Sequence, residues 1–108
     1  MVKRDLDGVY FRVMRDGSPQ NVCWTDLVWE DRIEFARKNN NENWLIQMIQ
    51  IMNDVAYKIT SEFPEVFIVP VKLGDGKKSL TWLRNSLFRL TADIRLVAET
   101  LDIVAVRE

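Results

Sequence analysis

The clearest pattern of hydrophobic and polar positions lies in the last quarter of the chain. Apolar residues recur there at steps of three and four without a break, at Leu80, Leu83, Leu87, Leu90, Ile94, Val97, Leu101 and Val104. This spacing predicts an amphipathic helix, because side chains three and four residues apart share one helical face. Ser79 can cap its first turn, and at 1.5 Å per residue the helix would be about 37 Å long. Such a helix is marginal alone in water, so another element must cover its apolar face.

The same helix carries a second apolar row on a different face. Trp82, Leu96 and Ile103 form this row, with Arg89 among them, about 100° around the helix from the nearest edge of the first face. One covering element within the chain would leave this second row open to solvent. The extra row and the length of the helix therefore predict a homodimer.

The N-terminal region has the two-residue period of β-strands. The apolar residues Val9, Phe11 and Val13 alternate with Tyr10, Arg12 and Met14, and residues 21–24 resume the alternation after an Asp16-Gly17 turn. This pattern predicts a β-hairpin, with Ser18-Pro19 lengthening its loop beyond two residues. A lone hairpin is barely stable, so its apolar face must rest on a helix.

Two more helices are predicted in the middle of the chain. Thr25 or Asp26 can cap the first, which ends before three consecutive asparagines, 39–41. The second spans Glu42 to Glu62 and has an apolar face too wide for one neighbour, so it should be central. After it, the β-branched run Val66 to Val71 is a candidate third strand, which its proline would confine to an edge or a bulge.

Together these patterns predict a single α+β domain over residues 1–108. It comprises an N-terminal β-hairpin, with a third strand left open, packed on three helices. The last two helices are long and heptad-patterned, and we expect them to be antiparallel or nearly so. Both contain a Trp-Leu pair, at 44–45 and 82–83, which leaves open whether they are a duplication or share only the 3.5-residue period.

Composition excludes several functions. The 108 residues carry a formal net charge of −1 and no histidine, so the chain lacks a global field for nucleic acid and the usual general base and metal ligand. Cys23 is the one cysteine, which favours a reducing compartment. Asp5, Asp7 and Asp16 suit turn or capping roles better than a metal site. We therefore expect a cytoplasmic protein that is not an enzyme, binds no cofactor or metal, and does not enter a membrane.

Two kinds of binding chemistry are left. Large aromatic and aliphatic side chains can anchor a protein partner, and the candidates are Trp29, Trp82, Leu96 and Ile103. The alternative is a nucleic acid or a phosphorylated ligand, held by basic residues around the start of the last helix, namely Lys72, Lys77, Lys78 and Arg84. The glycines near these lysines do not have the spacing of a Walker A loop.

Four short sequence motifs lie near the N-terminus: Lys3-Arg4-Asp5-Leu6-Asp7-Gly8-Val9-Tyr10-Phe11-Arg12-Val13, Arg15-Asp16-Gly17, Asn21-Val22-Cys23 and Asp26-Leu27. Two more lie at the other end: Ala92-Asp93-Ile94-Arg95 and Leu101-Asp102-Ile103-Val104. They resemble the opening hairpin and the closing Trp-Leu helix of small uncharacterised proteins carried by phages and mobile elements of gut-type Gram-positive bacteria. The middle of the chain departs from that pattern, as do Trp24 and Val28.

No activity comes with this resemblance, but a setting does. Small proteins on mobile elements often act by binding a host or element protein, including components of bacterial defence systems, and this is an argument by analogy. The sequence thus predicts a non-enzymatic protein-binding protein, one form of which would be an inhibitor of a host defence component. Binding of nucleic acid or a phosphorylated ligand is the alternative.

Overall fold

A computed structural model describes residues 5–74 and 79–107 of the chain, the stretch 102–107 as backbone only. The hairpin consists of β1 (Tyr10–Arg15) and β2 (Ser18–Cys23). A 3₁₀ turn, Trp24–Asp26, follows it. Three helices complete the fold: α1 (Trp29–Lys38), α2 (Glu42–Glu62) and α3 (Leu80–Arg107). The predicted α+β class, a hairpin followed by three helices, is confirmed.

The hairpin closes more tightly than the sequence indicated. The strands pair antiparallel, with Arg15 opposite Ser18, so only Asp16 and Gly17 form the loop. Both residues have positive φ angles, 52° and 79°, which suits the twist of a two-residue hairpin turn. Pro19 therefore belongs to β2, where an edge strand tolerates its missing N–H.

The first helix begins later than predicted, because the expected capping residues are engaged elsewhere. Thr25 and Asp26 lie in the 3₁₀ turn, and α1 starts at Trp29. Both the amide and the hydroxyl of Thr25 donate hydrogen bonds to Asp7, each at 2.8 Å. The carboxylate of Asp26 accepts a bond from the backbone amide of Asp5 at 3.1 Å. The N-cap residue of α1 is instead Val28, whose side chain makes no capping hydrogen bond.

Trp24 joins the hairpin to both long helices. Its side chain is fully buried and its ring lies 5.5 Å from Phe11, 5.7 Å from Trp44 and 6.2 Å from Phe88, measured between centroids. The apolar face predicted for the last helix is also buried over its central part, at Leu83, Leu87, Leu90 and Ile94.

The expected antiparallel arrangement of the two long helices is wrong. The guanidinium of Arg84, near the start of α3, donates a hydrogen bond to Asn40, just before α2. Trp24 likewise touches Trp44 and Phe88, each in the early part of its helix. Both helices therefore begin at the same end of the molecule. This is possible because the chain returns along α2 before α3 begins.

The returning segment is extended but is not the third strand that its composition suggested. Among the described residues after Glu62, none is assigned to a strand. Instead, the side chain of Asn53 on α2 bonds both backbone groups of Val71, accepting from its amide at 3.0 Å and donating to its carbonyl at 2.9 Å. One side-chain amide thus takes the place of a neighbouring strand. None of the helices in the described part of the chain is long and apolar enough to cross a membrane.

Candidate protein-binding surface on the last helix

Trp29 stands against the side of α3. It is the first residue of α1, and its ring packs on Phe88 of α3 with centroids 4.8 Å apart. The guanidinium carbon of Arg32 lies 6.0 Å from the centre of the same ring. These contacts hold one side of the indole in place, yet 45% of Trp29 remains exposed. A large aromatic side chain is thus held in place while much of its surface faces solvent.

A shallow cavity of about 200 Å³ lies on α3 and is lined by Trp82, Asn85, Ser86 and Arg89. Asn85 and Ser86 lie three and four residues after Trp82, and Arg89 lies seven residues after it, so the four share one helical face. Trp82 is partly buried against the hydrophobic core, whereas Asn85 and Arg89 are exposed. The cavity therefore combines an aromatic wall with polar side chains that can donate hydrogen bonds.

Leu96 extends this face along the helix. Trp82, Arg89 and Leu96 are seven residues apart, which returns them to nearly the same side of a helix. Leu96 is 64% exposed and lies about 21 Å from Trp82 along the axis. The row expected from the sequence is therefore present, but Trp82 is drawn partly into the core and the side chain of Ile103 lies outside the described residues.

We call this surface the α3 outer face and define it by Trp29, Trp82, Asn85, Arg89 and Leu96. Trp29 is included because it packs on Phe88 of the same helix, about 100° around α3 from Arg89. Three residues that the sequence marked as partner-binding candidates, Trp29, Trp82 and Leu96, thus lie on α3 or pack against it. The polar groove of this face, which is the cavity lined in part by Asn85 and Arg89, was not predicted, although their spacing from Trp82 was visible in the sequence.

The basic residues of the alternative site are only partly within the described chain. Lys72 is exposed, and Arg84 is half-buried, with its guanidinium bonded to Asn40. Lys77 and Lys78 lie outside the described residues. Because the Arg84 guanidinium is already hydrogen-bonded, it is less available to bind a phosphate. Its contact with Asn40 instead joins the starts of α2 and α3.

A buried arginine supports the α3 outer face from inside. Arg32 is only 2% exposed and donates hydrogen bonds to the carbonyl of Thr25 at 2.9 Å and the hydroxyl of Thr91 at 3.4 Å. Burial, with the charge of Arg95 nearby, lowers the pKa of Arg32 to about 10, so it is still protonated at neutral pH. Arg32 ties the 3₁₀ turn to α1 and α3. Sequence reasoning missed it, since a lone arginine in a helix is usually on the surface.

Asp7 holds the 3₁₀ turn through hydrogen bonds of its carboxylate. Its carboxylate accepts hydrogen bonds from the amides of Val9, Trp24 and Thr25 and from the Thr25 hydroxyl, at 2.8 to 3.3 Å. The capping role expected for Asp7 is confirmed. A carboxylate with this many donors is a strong local anchor.

Cys23 lies beside this turn and is buried as a protonated thiol. Its sulfur donates to Asp26 at 3.2 Å. Burial raises the pKa of the thiol, the hydrogen bond to Thr25 lowers it, and Asp26 raises it again, for a net increase. The ligand atoms of Asp5, Cys23 and Asp26 lie within 4.8 Å of one another, but hydrogen bonds account for this closeness: the Cys23 thiol and the Asp5 amide both donate to Asp26. The arrangement favours a structural thiol over a nucleophile.

Comparisons with known proteins give this surface no precedent. No protein-family model matches the chain, and neither a curated protein nor a solved structure does.

Proposed function

We propose that this protein works by binding another protein through the α3 outer face and catalyses no reaction. The observation that carries the proposal is the position of Trp29, which packs on Phe88 of α3 while 45% of its surface is exposed. Aromatic and arginine side chains supply much of the energy at protein interfaces, above all when they are already held in their bound conformation.

The chemistry of the face indicates what the partner presents. Trp82 and Leu96 offer apolar contacts before and after Arg89 along α3. Arg89 and Asn85 lie between them and can donate to a carboxylate or a backbone carbonyl. The partner therefore places an acidic or carbonyl group between two apolar ones. The resemblance of both chain ends to phage and mobile-element proteins supports a host or element protein as the partner, a defence component among them. The single, buried, free cysteine supports a cytoplasmic site of action.

Affinity capture followed by titration tests this function. The tagged protein is used to capture its partner from a bacterial lysate, and the purified partner is then titrated against wild type and Trp29→Ala. An interface anchor of this kind is worth about 2 kcal/mol or more, so we expect roughly thirtyfold weaker binding for Trp29→Ala. Leu96→Glu should weaken binding as well, because it places a charge in an apolar contact.

Tyr57→Ala is the matched control, since Tyr57 is an exposed aromatic on α2, away from this face. It should bind as wild type does, and circular dichroism should show all three variants folded. Unchanged affinity in both Trp29→Ala and Leu96→Glu would exclude the α3 outer face. If binding instead fell with added salt and on Lys72→Glu, the nucleic-acid or phosphorylated-ligand alternative would be favoured.

A further inference from the structure

The extended segment 66–71 exposes apolar side chains and unpaired backbone together. Ile68 is buried, but its neighbours Phe67 and Val69 are 85% and 67% exposed. Asn53 bonds Val71 at the end of the segment. The amides of Phe67, Ile68 and Val69 form no hydrogen bond with any part of the chain that the structure describes. This is the arrangement of a strand edge without its neighbour.

Glu65 and Lys72 lie at opposite ends of this segment, and both are exposed. If a second copy of the segment paired with it in parallel, like charges would lie side by side at each end. If it paired antiparallel, the Glu65 end of each copy would lie alongside the Lys72 end of the other. The charges therefore complement a second copy in the antiparallel direction only.

We propose that segments 66–71 of two copies of this chain pair antiparallel about a two-fold axis to form a homodimer. Pairing centred on Ile68 places Phe67 of each copy opposite Val69 of the other, so the two exposed apolar side chains cover one another twice. When Phe67 and Val69 form the hydrogen-bonded pairs of this register, their amides gain carbonyl partners across the axis. Pro70 lacks an N–H and so limits further strand addition. This surface is distinct from the α3 outer face, and the proposal does not depend on the function proposed above.

The proposed contact area is small, so the dimer is expected to be weak. A phenylalanine buries at least about 150 Å², so two copies of Phe67 and Val69 cover roughly 500 Å² of apolar surface in total. Specific, stable interfaces bury about 1,200 Å² or more when all atoms are counted. The pairing is therefore expected to give a weak dimer, seen as an average mass that rises with protein concentration.

Sedimentation equilibrium of the full chain over a wide concentration range tests the proposal. Wild type should associate to a dimer, and Phe67→Lys should be monomeric. Glu65→Lys and Lys72→Glu should each weaken association about fivefold to tenfold, because each creates two like-charged contacts across the axis. The double variant Glu65→Lys/Lys72→Glu should associate as wild type does, since it exchanges the charges and keeps their complementarity.

Tyr57→Lys and Leu96→Glu serve as controls, because each changes an exposed apolar residue outside the segment. Both should dimerise normally. A wild-type protein that stays monomeric at every concentration overturns the proposal, as does a dimer that survives Phe67→Lys. A dimer lost on Leu96→Glu but not on Phe67→Lys would place the contact on α3 instead, and failure of the double variant to recover would exclude the antiparallel pairing.

Discussion

Replacing Asp7 with asparagine removes a charge at the point where the N-terminal segment meets the 3₁₀ turn. One carboxylate oxygen of Asp7 accepts from the amide and the hydroxyl of Thr25, both at 2.8 Å. The other accepts from the amides of Val9 and Trp24, at 2.8 and 3.3 Å. An asparagine keeps one acceptor oxygen but presents N–H groups in place of the other. The hydroxyl of Thr25 can rotate and accept, whereas its backbone amide cannot.

The expected loss can be estimated from these contacts. Hydrogen bonds to a charged group contribute about 1.5 to 3 kcal/mol each, and a donor left facing another donor costs about 1 to 3 kcal/mol. Because the chain can relax around the new side chain, we expect Asp7→Asn to lower the free energy of unfolding by about 2 to 3 kcal/mol. Urea denaturation followed by tryptophan fluorescence at 25 °C measures this directly.

Asp93→Asn is the matched control, since Asp93 is exposed on α3. It should change the free energy of unfolding by less than about 0.5 kcal/mol. If Asp7→Asn were as stable as this control, the hydrogen bonds around Asp7 would contribute nothing net, and the 3₁₀ turn would have to be held by burial of Trp24 and by the hydrogen bond from Arg32 to Thr25.

Two further predictions follow from buried groups. Cys23 should react with a thiol reagent only after unfolding, and rapid labelling of the native protein would contradict this burial. Because the pKa of Cys23 is raised in the folded state, wild type should also lose stability relative to Cys23→Ala as the pH rises above the ordinary thiol pKa of 9.0. Asn53→Ala should remove both hydrogen bonds to Val71 and lower the free energy of unfolding by about 1 to 3 kcal/mol. Amide hydrogen exchange should become faster at Val71 but not in β1. Unchanged exchange at Val71 would show that packing alone holds the segment.

The local elements were largely predictable, because their signals are local. The three- and four-residue steps from Leu80 onward predict α3, and the alternation over residues 9–14 predicts β1. Side-chain period depends only on backbone geometry, so it can be seen in the sequence before any contact is known. The candidate partner residues Trp29, Trp82 and Leu96 could be chosen in the same way, from size and spacing.

Contacts between distant residues decided the rest. Composition favoured a strand at 66–71, but a strand exists only when a neighbour pairs with it, and Asn53 bonds only its last residue. The Asn53–Val71 contact lies on the segment that returns along α2. Because this segment brings the chain back to the start of α2, both long helices begin at the same end.

The sequence by itself determined that a hairpin is followed by three helices and which faces of these elements are apolar, since those properties follow from period and propensity. Only the tertiary structure decided that Trp24 is buried and Trp29 half-exposed, that Arg32 lies inside and that Phe67 lies outside. The physical reason is that burial is a property of the whole packing arrangement. Identical side chains lose or keep their contact with water according to what the rest of the chain places over them.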